Sequence, residues 1–254
     1  MTELLRITGL CKSFGGMDVS RNINLTMSAG DRVALIGPNG AGKTTFINLV
    51  TGALSPSAGK IFLSGEDVTK LSVVARVKRG LIRSFQVTRL FKDKTVGENL
   101  VLAVLQRQGR TGQFFASARG KHDTEGEVLE LLLLLGIGEL INHHVSRIAY
   151  GQQRLLEIAL ALALKPNVLL LDEPAAGVPQ DESPRILAAI NGLPKHIAVL
   201  MIEHDMDLVF KFATRVVVLA AGQIIFEGKP ADVSSNAQVR EAYLGSYAHD
   251  RSTP

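Results

Sequence analysis

Tryptophan is absent from these 254 residues, and cysteine occurs once, at Cys11. A lone thiol excludes an intrachain disulfide, so the fold must rest on a packed core, and this cysteine usage fits a reducing compartment. Cys11 is expected to be a small buried hydrophobe. Long apolar runs are missing too. The most apolar stretches, LLLLL (131–135) and LLEIALALAL (155–164), fall short of the roughly 18 uncharged residues that cross a bilayer. Both are read as helix core in a soluble chain. The opening MTELLRITGL lacks a basic start followed by an apolar core, so it is not expected to act as a signal peptide. Nor is charge of one sign gathered into blocks, the formal net charge being +4. A mildly basic, solvated surface is expected, with no nucleic acid as partner. Such a surface could also lie against an anionic membrane face.

What is present is a pattern of buried strands that end in polar residues. VALI (33–36), VLLL (168–171) and AVLMI (198–202) do not alternate, as parallel strands covered on both faces do not. They run into Gly37, Asp172-Glu173 and Glu203-His204, and open parallel sheets carry their chemistry at such carboxyl ends. Residues before about 30 alternate and predict antiparallel strands. VVVLA (216–220), Ala221-Gly222 and QIIFEG predict a hairpin. Between about 90 and 164 the period is helical. TVGENLVLAVLQ predicts a helix capped at Thr95, with Glu98 completing a capping box. The stretch 107–126 reads as a loop or weak helix, and EVLELLLLLGI as another helix. No internal repeat is visible. A helical lobe thus interrupts an α/β core.

GPNGAGKT (37–44) fits G-x-x-x-x-G-K-[ST] between a strand and a helix pattern. Its glycines let backbone N–H groups turn inward around phosphate, and the helix N-terminus adds positive potential. Lys43 can reach β- and γ-phosphates, and the Thr44 hydroxyl can ligate Mg²⁺. Asp172 can hold Mg²⁺ through water, and Glu173 can polarise an attacking water; alternatively, one of these acids merely caps the next helix. His204 shares the strand-end edge, which suggests a γ-phosphate contact. The other histidines, at 122, 143, 144, 196 and 249, are read as structural. Gln86, in IRSFQ, is either a plain surface amide or a site residue. IAYGQ (148–152) opens a second helix in a way that suits an anion, although the P-loop already serves one nucleotide.

Taken together, GPNGAGKTT, SFQ, IAYGQQ, VLLLDEP and EHD, in this order, resemble the ATP-binding subunits of ABC transporters over nearly the whole chain. KSFGG, YGQQR, LDEPAAG, EHDMDLV and VREAYLG resemble in particular the ATPases of branched-chain amino acid importers, of the longer of two types. Urea and amide importers carry similar motifs.

The resemblance implies a single α/β domain over 1–254. Its P-loop (RecA-like) core would span 1–88 and 165–254, with an antiparallel N-terminal subdomain. The inserted α-helical signature subdomain would span 89–164. It also implies ATP and Mg²⁺ as cofactors. Phe14 would stack on adenine; Gly37, Pro38, Asn39, Gly40, Ala41, Gly42, Lys43, Thr44 and Thr45 would hold phosphates. Thr44, Asp172 and Gln86 would serve Mg²⁺, Gln86 also sensing the transmembrane partner. Glu173 would activate water and His204 would contact the γ-phosphate. Tyr150, Gly151 and Gln152 would reach the ATP of a second such subunit, which accounts for two phosphate-seeking helix starts. The implied partners are that subunit, a membrane permease and, indirectly, a solute-binding protein. The implied place is the cytoplasm, at the inner membrane face. Ala149 replaces the signature serine and Tyr150 its first glycine. Leu155 and Leu160 stand where relatives often have arginine, and Pro179 where Asn or Asp is common. A non-transport ABC clamp is the alternative from another class. Such proteins usually carry two ATPase units in one chain or a long coiled-coil insertion, and neither is read in this sequence.

Overall fold

The computed structural model describes residues 2–84, 90–110 and 118–250, of which 118–122 and 244–250 are described by backbone alone. In chain order the elements begin with β1 (Glu3–Phe14), β2 (Met17–Ser28), β3 (Arg32–Ile36) and α1 (Lys43–Thr51). Then come β4 (Ala58–Leu63), β5 (Glu66–Asp67), α2 (Val73–Val77), β6 (Leu81–Arg83), α3 (Val96–Arg107), α4 (Ala118–Leu134) and α5 (Tyr150–Ala163). The chain continues through β7 (Val168–Asp172), α6 (Ser183–Asn191), β8 (Ala198–Ile202) and α7 (Met206–Phe212). It closes with β9 (Arg215–Ala220), β10 (Gln223–Gly228) and α8 (Ala237–Asp250). Two compact units result: residues 1–82, 167–173 and 195–254, and residues 83–166 and 174–194.

The first unit contains both expected kinds of strand. The described residues form a four-stranded sheet in the order β2-β1-β4-β5 and a six-stranded sheet in the order β10-β9-β3-β8-β7-β6. In the smaller sheet β1 pairs antiparallel with β2 and β4. In the larger, β3 pairs parallel with β8 and β9, and β7 with β8. All five residues of β3 and of β8 are buried, which is why neither strand alternates. The hairpin forms as expected, β9 antiparallel to β10. One core joins the sheets and α1, through Leu5, Ile7, Phe46, Ile47, Leu170 and Leu200.

Arg76 is fully buried in this unit. It donates to the carbonyls of Leu49 and Val50 at the end of α1, at 2.8 and 2.6 Å, and to Thr69 and Leu71 at 2.8 and 3.1 Å. Carbonyls of the last helical turn thereby receive a cation, which suits the negative end of the helix dipole. Burial pushes the Arg76 guanidinium below its usual range.

The second unit packs α3, α4, α5 and α6. The Thr95 capping box is present: Glu98 N–H donates to Thr95 Oγ1 at 3.1 Å, and Thr95 N–H to Glu98 Oε2 at 2.8 Å. Residues 174–194, in the span expected to belong to the core, group here because α6 packs on α5. Two expectations need correction. The 131–135 leucine run is amphipathic: Leu132 and Leu135 are buried, whereas Leu133 is 62% exposed and Leu134 41%. A helical period allows one face to be covered, not all. Cys11 is only half-buried, because β1 turns it outward, where its sulfur accepts the Asn22 N–H at 3.2 Å. No helix among the described residues is long and apolar enough to cross a membrane.

Candidate functional site

The P-loop leaves the carboxyl end of β3, which lies between β8 and β9. Gly37 is required there by close approach, since a β-carbon would strike the Leu219 carbonyl of β9. Ala41 N–H then donates to Pro38 O at 3.2 Å, and Gly222 N–H of the hairpin turn to Ala41 O at 3.0 Å. The loop is held from both sides. Asn39 and Gly40 remain exposed, as does Thr44 in the first turn of α1, with Thr45 half-buried beside it.

Lys43 carries the charge. Its ammonium donates to Gly37 O at 2.5 Å and Pro38 O at 3.0 Å, which fixes it over the loop. Burial lowers its pKa below the usual lysine range, and the fields of Glu173 and Asp172 oppose that shift. The two acids of VLLLDEP therefore face the P-loop lysine, as the strand-end pattern predicts. Glu173 is held in left-handed backbone, φ 47°, its N–H donating to Ile202 O of β8 at 3.0 Å. A non-glycine residue there is uncommon and points to a backbone set by its surroundings.

His204 lies on the same edge, its Nδ1 3.6 Å from the Glu173 carboxylate, and it is 71% exposed. The buried Glu203 accepts the His204 N–H at 3.2 Å. Sequence reading placed Glu203 at a strand end and gave it no role. Asp205 caps α7, accepting from Asp207 and Leu208 N–H at 2.9 and 3.3 Å. Phe14 ends β1, 49% exposed, with the Lys12 ammonium 4.9 Å from its ring centroid. An aromatic face left open in this way can receive a flat base. Gln86 lies outside the described residues.

Exposed Thr44 and half-buried Asp172 supply hard oxygens suited to Mg²⁺. Among the described residues no group of three or more His, Cys, Asp or Glu is placed to hold a metal alone. A Mg²⁺ arriving with nucleotide needs only one or two protein oxygens.

The second helix start belongs to the other unit. Ala149 is the N-cap of α5, and its N–H donates to Gln152 Oε1 at 2.9 Å. Alanine has no oxygen to return, so only half of a capping box exists. The Tyr150 hydroxyl accepts from Arg154 Nη2 at 2.6 Å and lies 3.5 Å from Ala176 O. Gly151 is buried against the carboxylate of Glu182, which a β-carbon there would force to turn aside. Sequence reading missed Glu182, since 31 residues separate it from Gly151 and no local pattern links them.

The comparisons agree with this geometry. The ABC transporter family matches residues 20–176, and the branched-chain amino acid ATP-binding cassette transporter family matches 223–249. The chain is 37% identical to the high-affinity branched-chain amino acid transport ATP-binding protein BraF of Pseudomonas aeruginosa, over 95% of this chain and 98% of BraF. It is 38% identical to the LivG protein of Escherichia coli, described in the same words, again over 95% and 98%. A solved ATP-binding cassette of an ABC transporter in its ADP conformation is 28% identical, with TM-score 0.83 over 96% of this chain and 100% of that one. A nucleotide-free cassette aligns with TM-score 0.81 at 29% identity, over 95% and 98%. The P-loop, the paired acids at the end of β7 and the α5 start all fall inside the matched span, and the chain belongs to the ABC transporter family, as one of its ATP-binding cassettes and an ATPase.

Proposed function

We propose that this chain hydrolyses ATP to drive a separate membrane permease importing branched-chain amino acids. The observation that carries the chemistry is Lys43 held over the P-loop under the opposing fields of Asp172 and Glu173. The relatives' names supply the cargo class.

In this reading Gly37 to Thr45 cradle the phosphates, by backbone N–H groups at every position but Pro38, and Lys43 leaves its loop carbonyls for the β- and γ-phosphates. Thr44 and Asp172 would hold Mg²⁺, which would supply neutralisation of phosphate charge. Gln86 is assigned to the same ion and to the permease. Glu173 accepts a proton from the water that attacks in line, and His204, beside it, donates to the γ-phosphate. Phe14 stacks on the base. Tyr150, Gly151 and Gln152 face the nucleotide of a second subunit. The chain would act at the cytoplasmic membrane face, beside its permease and, indirectly, a solute-binding protein.

Deleting the chain from its source cells should abolish energised uptake of leucine, isoleucine and valine. The wild-type chain should restore it, and Glu173→Gln should not. Intact amino acid uptake with lost urea or amide uptake would move the assignment to those importers. Recovery of the chain from native membranes with no permease, on ribosomes or DNA instead, would replace transport with the clamp reading.

A further inference from the structure

The carboxylate of Glu182 occupies the approach to Gly151, the second residue of α5. It stands where a side chain at residue 151 would stand. Among the described residues its carboxylate accepts no hydrogen bond and forms no ion pair, so only its backbone holds it there. That backbone is well fixed. Pro179 restricts its own φ, and its carbonyl accepts the N–H groups of Glu182 and Ser183 at 3.0 and 3.1 Å. A cavity of about 40 Å³ adjoins the contact, lined by Ala149, Gly151, Leu155, Glu182, Arg185 and Ile186 among others. Arg185 is the one cation in that lining. It lies three residues after Glu182, a spacing that lets the two side chains meet on a helix.

We propose that Glu182 gates the second phosphate site: its carboxylate rests at the start of α5, where the phosphate of a second copy's nucleotide must arrive, and turns to Arg185 as the copies close. The proposal rests on the reading that α5 faces a second subunit's nucleotide. A carboxylate at a helix N-terminus is favoured in the isolated chain. The same charge repels a phosphate in the desolvated interface of the pair, which delays closure until the side chain withdraws. The gate has two rest positions, both within one unit, and needs no other residue to move.

The test uses the full chain carrying Glu173→Gln, so that hydrolysis does not empty the closed state. Sedimentation at rising MgATP measures the concentration that gives half-maximal dimer. Adding Glu182→Gln, which keeps shape and removes charge, should lower that concentration about tenfold and flatten its dependence on salt. Adding Arg185→Ala should raise it, and should have no effect once Glu182→Gln is present, because Arg185 acts through Glu182. Melting curves confirm folding, and Glu182→Asp, which keeps the charge on a shorter arm, should fall between Glu182 and Glu182→Gln. A dimer that forms at unchanged ATP and salt in Glu182→Gln would overturn the gate alone. Chains that bind ATP as monomers yet never dimerise, with or without Glu182→Gln, would overturn the two-copy reading beneath it.

Discussion

Two helices in this chain begin where an anion could sit, and they are built oppositely. The start of α1 has a glycine loop, a lysine over it and two acids across from the lysine, all in one unit. The start of α5 has an alanine cap, a Gln152 that turns back on the backbone, and a carboxylate in front. Both offer unpaired first-turn N–H groups and a positive dipole end. At α1 a lysine lies over the loop itself, whereas near the α5 start Arg154 is turned to Tyr150 and Arg185 lines the cavity beside Glu182. The comparison teaches that α1 can hold a nucleotide within one chain, whereas α5 gains a use only when another molecule brings both phosphate and its counter-charges.

The largest effect that sharpens this contrast lies on the α1 side. Glu173→Gln should lower turnover about 10²- to 10⁴-fold, measured by phosphate release, with ATP affinity changed only a few-fold. Near-normal turnover would remove Glu173 from the base role. Lys43→Ala comes next. Calorimetry should show ATP binding weakened about ten- to a hundredfold, the value of a charge-assisted phosphate contact. Undiminished affinity would mean that Lys43 serves its loop carbonyls and not the nucleotide.

On the α5 side the same tests should separate. Gly151→Ala places a methyl against the Glu182 carboxylate, so binding of a fluorescent ATP analogue to the monomer should be unchanged while ATP-driven dimerisation weakens. The double variant Gly151→Ala with Glu182→Ala should recover part of that loss, with a coupling of about 1 kcal/mol. Purely additive effects would show that the two residues do not meet in solution.

The smallest expected effect concerns the scaffold behind α5. Arg107 donates to both oxygens of Glu127, at 2.6 and 2.8 Å, and to Ala163 O near the end of α5 at 2.8 Å. The Arg107 hydrogen bonds hold the Glu127 carboxyl below the usual carboxylate range, against the effect of burial. A depressed carboxylate stabilises above its unfolded pKa, and the benefit is lost as pH falls through the folded one. Wild type should therefore melt above Glu127→Gln near neutral pH, by about 1 kcal/mol for a partly exposed pair. The gap should close below about pH 4. A gap that persists in acid would assign the difference to packing.

Much of this was legible in the sequence, for identifiable reasons. Buried parallel strands cannot alternate, and that alone marked β3, β7 and β8 and placed Gly37, Asp172 and His204 on one edge. Thr95 and Glu98 announced their helix because a capping box is local. What escaped depended on distance along the chain. Nothing near Arg76 shows that it will close the end of α1, some 25 residues earlier, and nothing near Glu182 shows that it will meet Gly151. The exposure of Leu133 and Leu134 depends on which face of α4 finds neighbours, a tertiary choice that a run of five leucines leaves open. Cys11 was misjudged because β1 is covered on one face only.

The central claim is that the P-loop of one chain works with the α5 start of another, and mixing two damaged chains tests it most directly. Lys43→Ala removes the P-loop and keeps the α5 start; Gly151→Asp does the reverse. Each alone should hydrolyse ATP at background. Mixed in equal amounts, they should regain activity, because a mixed pair contains one site with an intact P-loop from one chain and an intact α5 start from the other. If the mixture stays at the background of its components, while both chains are folded and Gly151→Asp still binds ATP, the two helix starts do not meet across a pair and the account fails.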